Sequence, residues 1–285
     1  MCRKKKCCGL AIGPSFYSEP MEWSAEKVWE CAGTTFVHSF HRRSTWNRFC
    51  IRKPRSIVDL YVDRLPEFRH GRIVELGIAD GGGTALIALA AEPSLLVACE
   101  IENEPVAALD EFISRRGLEK SVRPHYGVDQ SDRARLAAIV DAEFGANPID
   151  LVIDDASHRY VETRASFEVL YPRVRSGGLF VIEDWAAQYL FAYELDLTLR
   201  DPASQRYTEL KTRLGDKMTA REKPASALAR LGAELMFAAA QCPDVVASVD
   251  VNQHWISVTR GPASLEPATF QVTDLCTDYF RWFRA

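Results

Sequence analysis

VELGIADGGGTAL (residues 74–86) is the stretch on which the fold turns. It passes from an apolar strand into a glycine-rich turn and then into the start of a helix. That is the order expected where a parallel strand hands over to its crossover helix. Gly77, Gly81, Gly82 and Gly83 let the backbone come close to a ligand, and the helix N-terminus adds amide donors. The spacing is not G-x-G-x-x-G, because Ala79 stands where the second glycine would be. Glu75, just before the turn, would repel a pyrophosphate but would suit an ammonium or a sulfonium.

Outward from this turn, short apolar runs alternate with helical periodicity. Strands are expected at 72–77, 95–101, 122–126, 149–154 and 179–184. Helices are expected at 55–65, 84–91, 106–116, 131–144 and 161–174, with Gly177 and Gly178 turning the chain into the fifth strand. Continuous apolar strands joined by helices imply a parallel sheet covered on both faces. After a helix at 225–241, VVASVDVN (245–252) and HWISVTRG (254–261) read as two strands with a tight connection. The predicted fold is therefore α/β: a Rossmann-like, mostly parallel seven-stranded sheet with helices on both faces and a C-terminal antiparallel hairpin. One domain is expected over 25–285, with a helical segment at 25–70. Residues 185–224 read either as a lid over the site or as an ordinary pair of surface helices.

Composition narrows the partners. A net charge of −4 argues against a nucleic-acid binder, and no apolar run is long enough to span a bilayer. MCRKKKCCGLAIGPSF (1–16) starts basic, but Gly9, Gly13 and Pro14 break the apolar stretch that a secretory leader needs. Residues 1–24 read as a flexible tail or as residues upstream of the true start. Cys2, Cys7 and Cys8 have no second pair at zinc spacing, and the other five cysteines are scattered. That usage suits the reducing cytoplasm.

Right-handed crossovers bring the strand C-termini to one edge, where ligands bind. The unusual residues all fall there: Glu75 and Gly77, Glu100, Asp154 and Asp155, and Glu183 and Asp184. Glu100 ends the second strand, where a carboxylate can hold two ribose hydroxyls; with the turn it favours a nucleoside ligand without phosphates. In IDDASHRY (153–160), His158 follows Asp155 by three. Ends of adjacent parallel strands lie about 4.8 Å apart, so Asp155, Glu183 and Asp184 can converge. Three carboxylates in one small space call for a cation, and hard oxygen donors suit Mg²⁺ or Mn²⁺. The residues alone leave open a plainer alternative, with one carboxylate capping the next helix and the others facing water.

The glycine turn followed by Glu100 resembles class I S-adenosylmethionine-dependent methyltransferases, over about residues 45–261. The resemblance implies that Glu75, Gly77, Gly81, Gly82 and Asp154 line the cofactor site and that Glu100 holds the ribose. It places Asp129 and Gln130 of GVDQSD (127–132) beside the adenine, although Asp129 or Ser131 also reads as a helix cap. DDASH (154–158) with LYPRVRSGGLFVIEDW (170–185) resembles the metal-dependent O-methyltransferases of macrolide sugars, such as the mycinamicin type. It is also similar to the cephalosporin-hydroxylase-like family and to mycobacterial saccharide O-methyltransferases. TWNRFCIRKP (45–54) resembles the segment before their first strand. This implies Asp155, Glu183 and Asp184 as ligands of Mg²⁺, with His158 as general base.

The expectation is therefore methyl transfer to a hydroxyl of a sugar or glycosylated small molecule. A metal would lower the hydroxyl pKa, and neutral His158 would take the proton. Two alternatives stand: a catechol or other vicinal-diol O-methyltransferase, and a non-catalytic binder of S-adenosylmethionine. Trp185, Tyr189 and Phe191 could serve either acceptor; His125 and His254 read as structural. Many members of the resembled family self-associate, which leaves open a homo-oligomer whose N-terminal 50 residues reach a neighbour's site.

Overall fold

The computed structural model describes residues 28–39, 43–186, 200–214 and 228–275. A seven-stranded sheet is built from β4 (Arg72–Leu76), β5 (Leu95–Cys99), β6 (Val122–His125), β7 (Ile149–Asp154), β8 (Val174–Glu183), β9 (Val246–Val251) and β10 (Trp255–Arg260). Their spatial order is β6-β5-β4-β7-β8-β10-β9, with β10 antiparallel to both β8 and β9. The first five strands are mutually parallel, and the C-terminal hairpin closes the sheet as the alternating apolar pattern predicts.

Helices α1 (Arg55–Arg64), α2 (Gly82–Ala91) and α3 (Ala107–Arg116) cover one face, where Val58, Leu86 and Leu109 are fully buried. The other face is covered by α4 (Arg133–Phe144), α5 (Tyr160–Leu170) and α7 (Ala229–Gln241), through Leu136, Phe167, Leu231 and Leu235. Helix α6 (Gln205–Leu214) falls in the segment read as lid or surface helices; much of the remainder of that segment, with Tyr189 and Phe191, lies outside the described residues. On β10, Trp255 and Ser257 share one face and Ile256 and Val258 the other, the period-two alternation of a strand.

The expected helical segment at 25–70 is corrected. Before α1 the chain forms a second sheet, β1 (Val28–Cys31), β2 (Thr34–His38) and β3 (Arg48–Ile51), with β1 antiparallel and β3 parallel to β2. The cause is local. Ala32 and Gly33 have φ of 46° and 74°, the two left-handed residues of a tight hairpin turn between paired Cys31 and Thr34. The small sheet packs on its own chain: Arg116 reaches back to the Ala32 carbonyl and the Thr34 hydroxyl at 3.0 and 2.8 Å. A second correction concerns Gly177 and Gly178. They lie inside β8, beside a register shift in its pairing with β7. A Cβ on Gly178 would stand 2.9 Å from the Asp150 carbonyl oxygen, so the glycine is there for close strand approach.

Candidate active site at the sheet edge

From β4 the chain proceeds outward to β5 and β6, then returns to place β7 and β8 on the other side of β4. The β4/β7 boundary is thus the switch point, where a crevice opens beyond the strand ends. Two loops meet there: the Asp155 amide donates to the Leu76 carbonyl at 2.9 Å. A Cβ on Gly77, whose φ is 97°, would stand 2.3 Å from the Asp155 carbonyl oxygen. Gly77 therefore serves the meeting of two backbone loops. Gly82 does the same for β3: a Cβ there would lie 2.4 Å from the Cys50 carbonyl oxygen. The N-terminal strands lie against their own chain's glycine turn, and Gly81 (φ 83°) supplies the left-handed residue that starts α2.

Several predicted cofactor residues turn out to be engaged within the protein. Glu75 is 2% exposed beneath α2 and accepts a 2.6 Å hydrogen bond from the Thr84 hydroxyl. Burial pushes its carboxyl up to about 8, with Thr84 and Lys53 pulling the other way. Glu100 Oε2 accepts from the amides of Ile78 and Ala79 at 2.9 and 2.7 Å, and Oε1 from those of Ile101 and Glu102 at 2.8 and 3.2 Å. Four donors fill its four lone-pair directions. Glu100 thereby staples the glycine turn to the β5 loop, and ribose hydroxyls would share oxygens already bonded.

Gln130 and Asp154 are both buried, and they form one network. The Gln130 amide donates to Asp154 at 3.0 Å and to Ser166 Oγ at 3.1 Å, while its oxygen accepts from the Ser157 amide at 2.8 Å. Burial pushes the Asp154 carboxyl up to about 6 despite the Ser166 and Ala156 hydrogen bonds. Asp129 is exposed and receives the amide and hydroxyl of Ser131 at 2.8 and 2.7 Å, which lowers its pKa. The cap of α4 is neither Asp129 nor Ser131: Asp132 accepts from the Arg135 amide at 3.0 Å. His125 pairs with Glu143 at 3.0 Å, consistent with a structural role.

The acidic strand ends divide into two groups. Asp155, His158 and Asp184 each offer one ligand atom within 4.8 Å of the others. His158 Nε2 lies 3.9 Å from both Asp155 Oδ1 and Asp184 Oδ2. Asp155 and Asp184 offer hard oxygen donors of the kind that suit a divalent ion, which they could hold beside His158. Both His158 and Asp184 are held in the left-handed region, at φ 54° and 50°, as is Ala79 of the glycine turn at 48°. Such conformations cost about 1–3 kcal/mol and concentrate at functional sites. Burial raises the Asp184 pKa, with His158 opposing it.

Glu183 stands in the second group. It is 1% exposed, and both of its oxygens are taken. The Tyr61 hydroxyl donates to Oε1, and Lys53 Nζ donates to Oε2 at 2.7 Å. The same ammonium pairs with Asp155 Oδ2, leaving the Oδ1 side of Asp155 toward His158. Burial works against the Lys53 charge, but Asp155 and Glu183 more than offset it, so the ammonium is held. Burial and Asp155 push the Glu183 carboxyl upward, while Lys53 and Tyr61 pull it back. Neither Lys53 nor Tyr61 was among the residues expected from sequence. Lys53 lies in the TWNRFCIRKP segment, and Tyr61 lies in the helix expected at 55–65, where its spacing marks it as an apolar position.

A family described as a methyltransferase domain matches residues 74–185. A Streptomyces olivaceus 8-demethyl-8-(2-methoxy-alpha-L-rhamnosyl)-tetracenomycin-C 3'-O-methyltransferase is 31% identical over 165 residues, covering 55% of this chain and 39% of the relative. The mycinamicin VI 2''-O-methyltransferase of Micromonospora griseorubida is 42% identical over 80 residues, covering 22% and 20%. The chain spans less than two fifths of the length of these curated relatives. In structure, the MycE methyltransferase of the mycinamycin biosynthetic pathway, in complex with Mg, SAH and mycinamycin VI, superposes with a TM-score of 0.50. Its identity is 22%, over 71% of this chain and 49% of that one, which shows a shared fold. The family match opens on β4 and closes just beyond Asp184, enclosing the glycine turn, Glu100 and both acidic strand ends.

Proposed function

We propose that the chain is an S-adenosylmethionine-dependent O-methyltransferase that uses Mg²⁺ or Mn²⁺ to methylate a hydroxyl of a sugar on a glycosylated small molecule. The observation that carries this reading is the Asp155–His158–Asp184 set, placed beside the glycine turn at the switch point. Relatives named as sugar O-methyltransferases support the acceptor class. The four described free cysteines, Cys31, Cys50, Cys99 and Cys242, agree with a cytoplasmic setting. No helix among the described residues is long and apolar enough to cross a membrane.

S-adenosylmethionine supplies an activated methyl group, so the residues of this chain must supply an oxygen nucleophile and its alignment. Asp155 and Asp184 would hold the ion, whose Lewis acidity lowers the pKa of a nearby hydroxyl. His158 Nε2, facing both carboxylates, accepts the hydroxyl proton; the two carboxylates then stabilise the imidazolium that results. Gly77 and Glu100 keep the two loops of the crevice in place, the first by permitting close backbone approach and the second through its four amide bonds.

Calorimetric titration with S-adenosylhomocysteine tests the cofactor assignment, and a radiolabelled methyl-transfer screen over glycosides and catechols tests the acceptor. We expect binding, and transfer to glycosides that chelator abolishes. Replacing His158 with Ala should cut turnover by about 10²-fold or more with cofactor binding retained. Failure to bind S-adenosylhomocysteine would overturn the reading, and transfer to catechols alone would move the acceptor to aromatic diols.

A further inference from the structure

We propose that Lys53 is a built-in cation that reserves Glu183, so that a divalent ion is held by Asp155 and Asp184 beside His158 instead of by three carboxylates. The inference rests on the metal reading above and concerns what this chain's own residues do to the site.

Three observations carry it. The first is saturation of Glu183. Its oxygens are bonded to two different groups, the Tyr61 hydroxyl and the Lys53 ammonium, and it is 1% exposed. An ion taking Glu183 as a ligand must break a charge-assisted bond buried inside the protein. The second is that Lys53 is anchored. Its side chain is 9% exposed, its carbonyl oxygen lies 2.8 Å from His38 Nδ1, and its ammonium lies 5.3 Å from the centre of the Tyr61 ring. Pro54 follows it and opens α1, while Cys50, three residues before it, packs its carbonyl against Gly82. Lys53 is therefore part of the fold and does not swing like a surface lysine. The third is the division of Asp155. One of its oxygens meets the ammonium and the other lies toward His158, in a set that includes Asp184, so Asp155 is shared between the resident cation and the ion.

The consequence is a deliberately weak metal site. With one carboxylate withheld and an ammonium nearby, the protein alone attracts a divalent ion less than three free carboxylates would. More coordination positions remain for oxygens of an acceptor, which suits a pair of vicinal hydroxyls. Lys53 is then a positioning residue: it acts on the ion through Asp155 and Glu183.

The test is Mn²⁺ affinity, read from the free-ion electron paramagnetic resonance signal, in the full chain and in Lys53→Met, Glu183→Gln, Lys53→Met/Glu183→Gln and Asp184→Asn. Releasing Asp155 and Glu183 from the ammonium should make Lys53→Met bind Mn²⁺ at least about tenfold more tightly. The gain should be smaller in the double variant, where Asp155 alone is released. Glu183→Gln alone should stay within about threefold of the unsubstituted chain, while Asp184→Asn should weaken binding by about tenfold or more. That pair of measurements stands by itself if Lys53→Met does not fold. Equal losses in Glu183→Gln and Asp184→Asn, or no gain in Lys53→Met, would overturn the role of Lys53 and leave the metal reading intact. No Mn²⁺ binding in any variant would overturn both, while S-adenosylhomocysteine titration reports separately on the methyltransferase reading.

Discussion

Glu75 offers the sharpest quantitative test of the electrostatics. It is 2% exposed on a central strand, and burial moves its carboxyl from the ordinary 4.5 to about 8. A carboxyl raised in the folded state binds its proton more tightly there than in the unfolded chain. Its contribution is therefore fully present below pH 4.5 and is lost as pH rises through about 8. Each pH unit in that window costs about 1.4 kcal/mol, so the whole shift of 3.5 units corresponds to about 5 kcal/mol. Water penetration and relaxation reduce such costs, and about 2–3 kcal/mol is a realistic expectation.

The perturbation is Glu75→Gln, which keeps the shape and an acceptor for the Thr84 hydroxyl but never ionises. Urea unfolding of both proteins at pH 5, 7 and 8.5 gives the stability difference directly. Taking the difference removes other titrating groups, Asp154 and Glu183 among them, to the extent that they are not coupled to Glu75. The variant should match the unsubstituted chain within about 1 kcal/mol at pH 5 and exceed it by about 2–3 kcal/mol at pH 8.5. A difference that does not change with pH, or that turns against the variant as pH rises, would refute the reasoning.

Gly77→Ala should destabilise the fold by about 3 kcal/mol or more, measured by urea unfolding, because the residue has φ 97° and its Cβ would meet the Asp155 carbonyl oxygen at 2.3 Å. His158→Gly should be more stable than His158→Ala by about 1 kcal/mol, read as a higher Tm, because φ at 158 is 54°; both should lose turnover equally. Equal Tm values would mean that the left-handed backbone at 158 stores no strain.

The sheet was legible because each strand is a continuous apolar run bounded by turn residues. β7 is expected and found at 149–154, and β9 and β10 differ from expectation by single residues at their ends. Asp155, His158 and Asp184 were legible because strand ends gather at one edge whatever the details of packing. What was not legible was who pairs with whom. Lys53 meets Asp155 across 102 positions and Glu183 across 130, and no periodicity reports such a contact. Acidic side chains near a glycine turn look alike in sequence, yet Glu100 collects four backbone amides and Glu75 sits dry under a helix. That Gln130 and Asp154 bond to each other and to Ser166 was likewise not readable from the chain. The small N-terminal sheet was missed because its strands have only 4, 5 and 4 residues, too few to establish a period, and because its hairpin turns on Ala32 as much as on Gly33.

The same edge concentrates two kinds of cost. Left-handed backbone at Ala79, His158 and Asp184 and buried carboxyls at Glu75, Asp154 and Glu183 all oppose folding at neutral pH. A sequence selected for stability alone would place glycine at 158 and 184 and an amide at 75. The costs are offset by groups brought from far along the chain. Lys53 neutralises Asp155 and Glu183, Tyr61 completes Glu183, and Ser166 and Gln130 satisfy Asp154. Asp155, His158 and Asp184 remain partly open to solvent, with side-chain exposures of 26, 31 and 47%. Where internal partners saturate Glu75, Glu100, Asp154 and Glu183, Asp155, His158 and Asp184 stay open to meet an ion and a substrate hydroxyl.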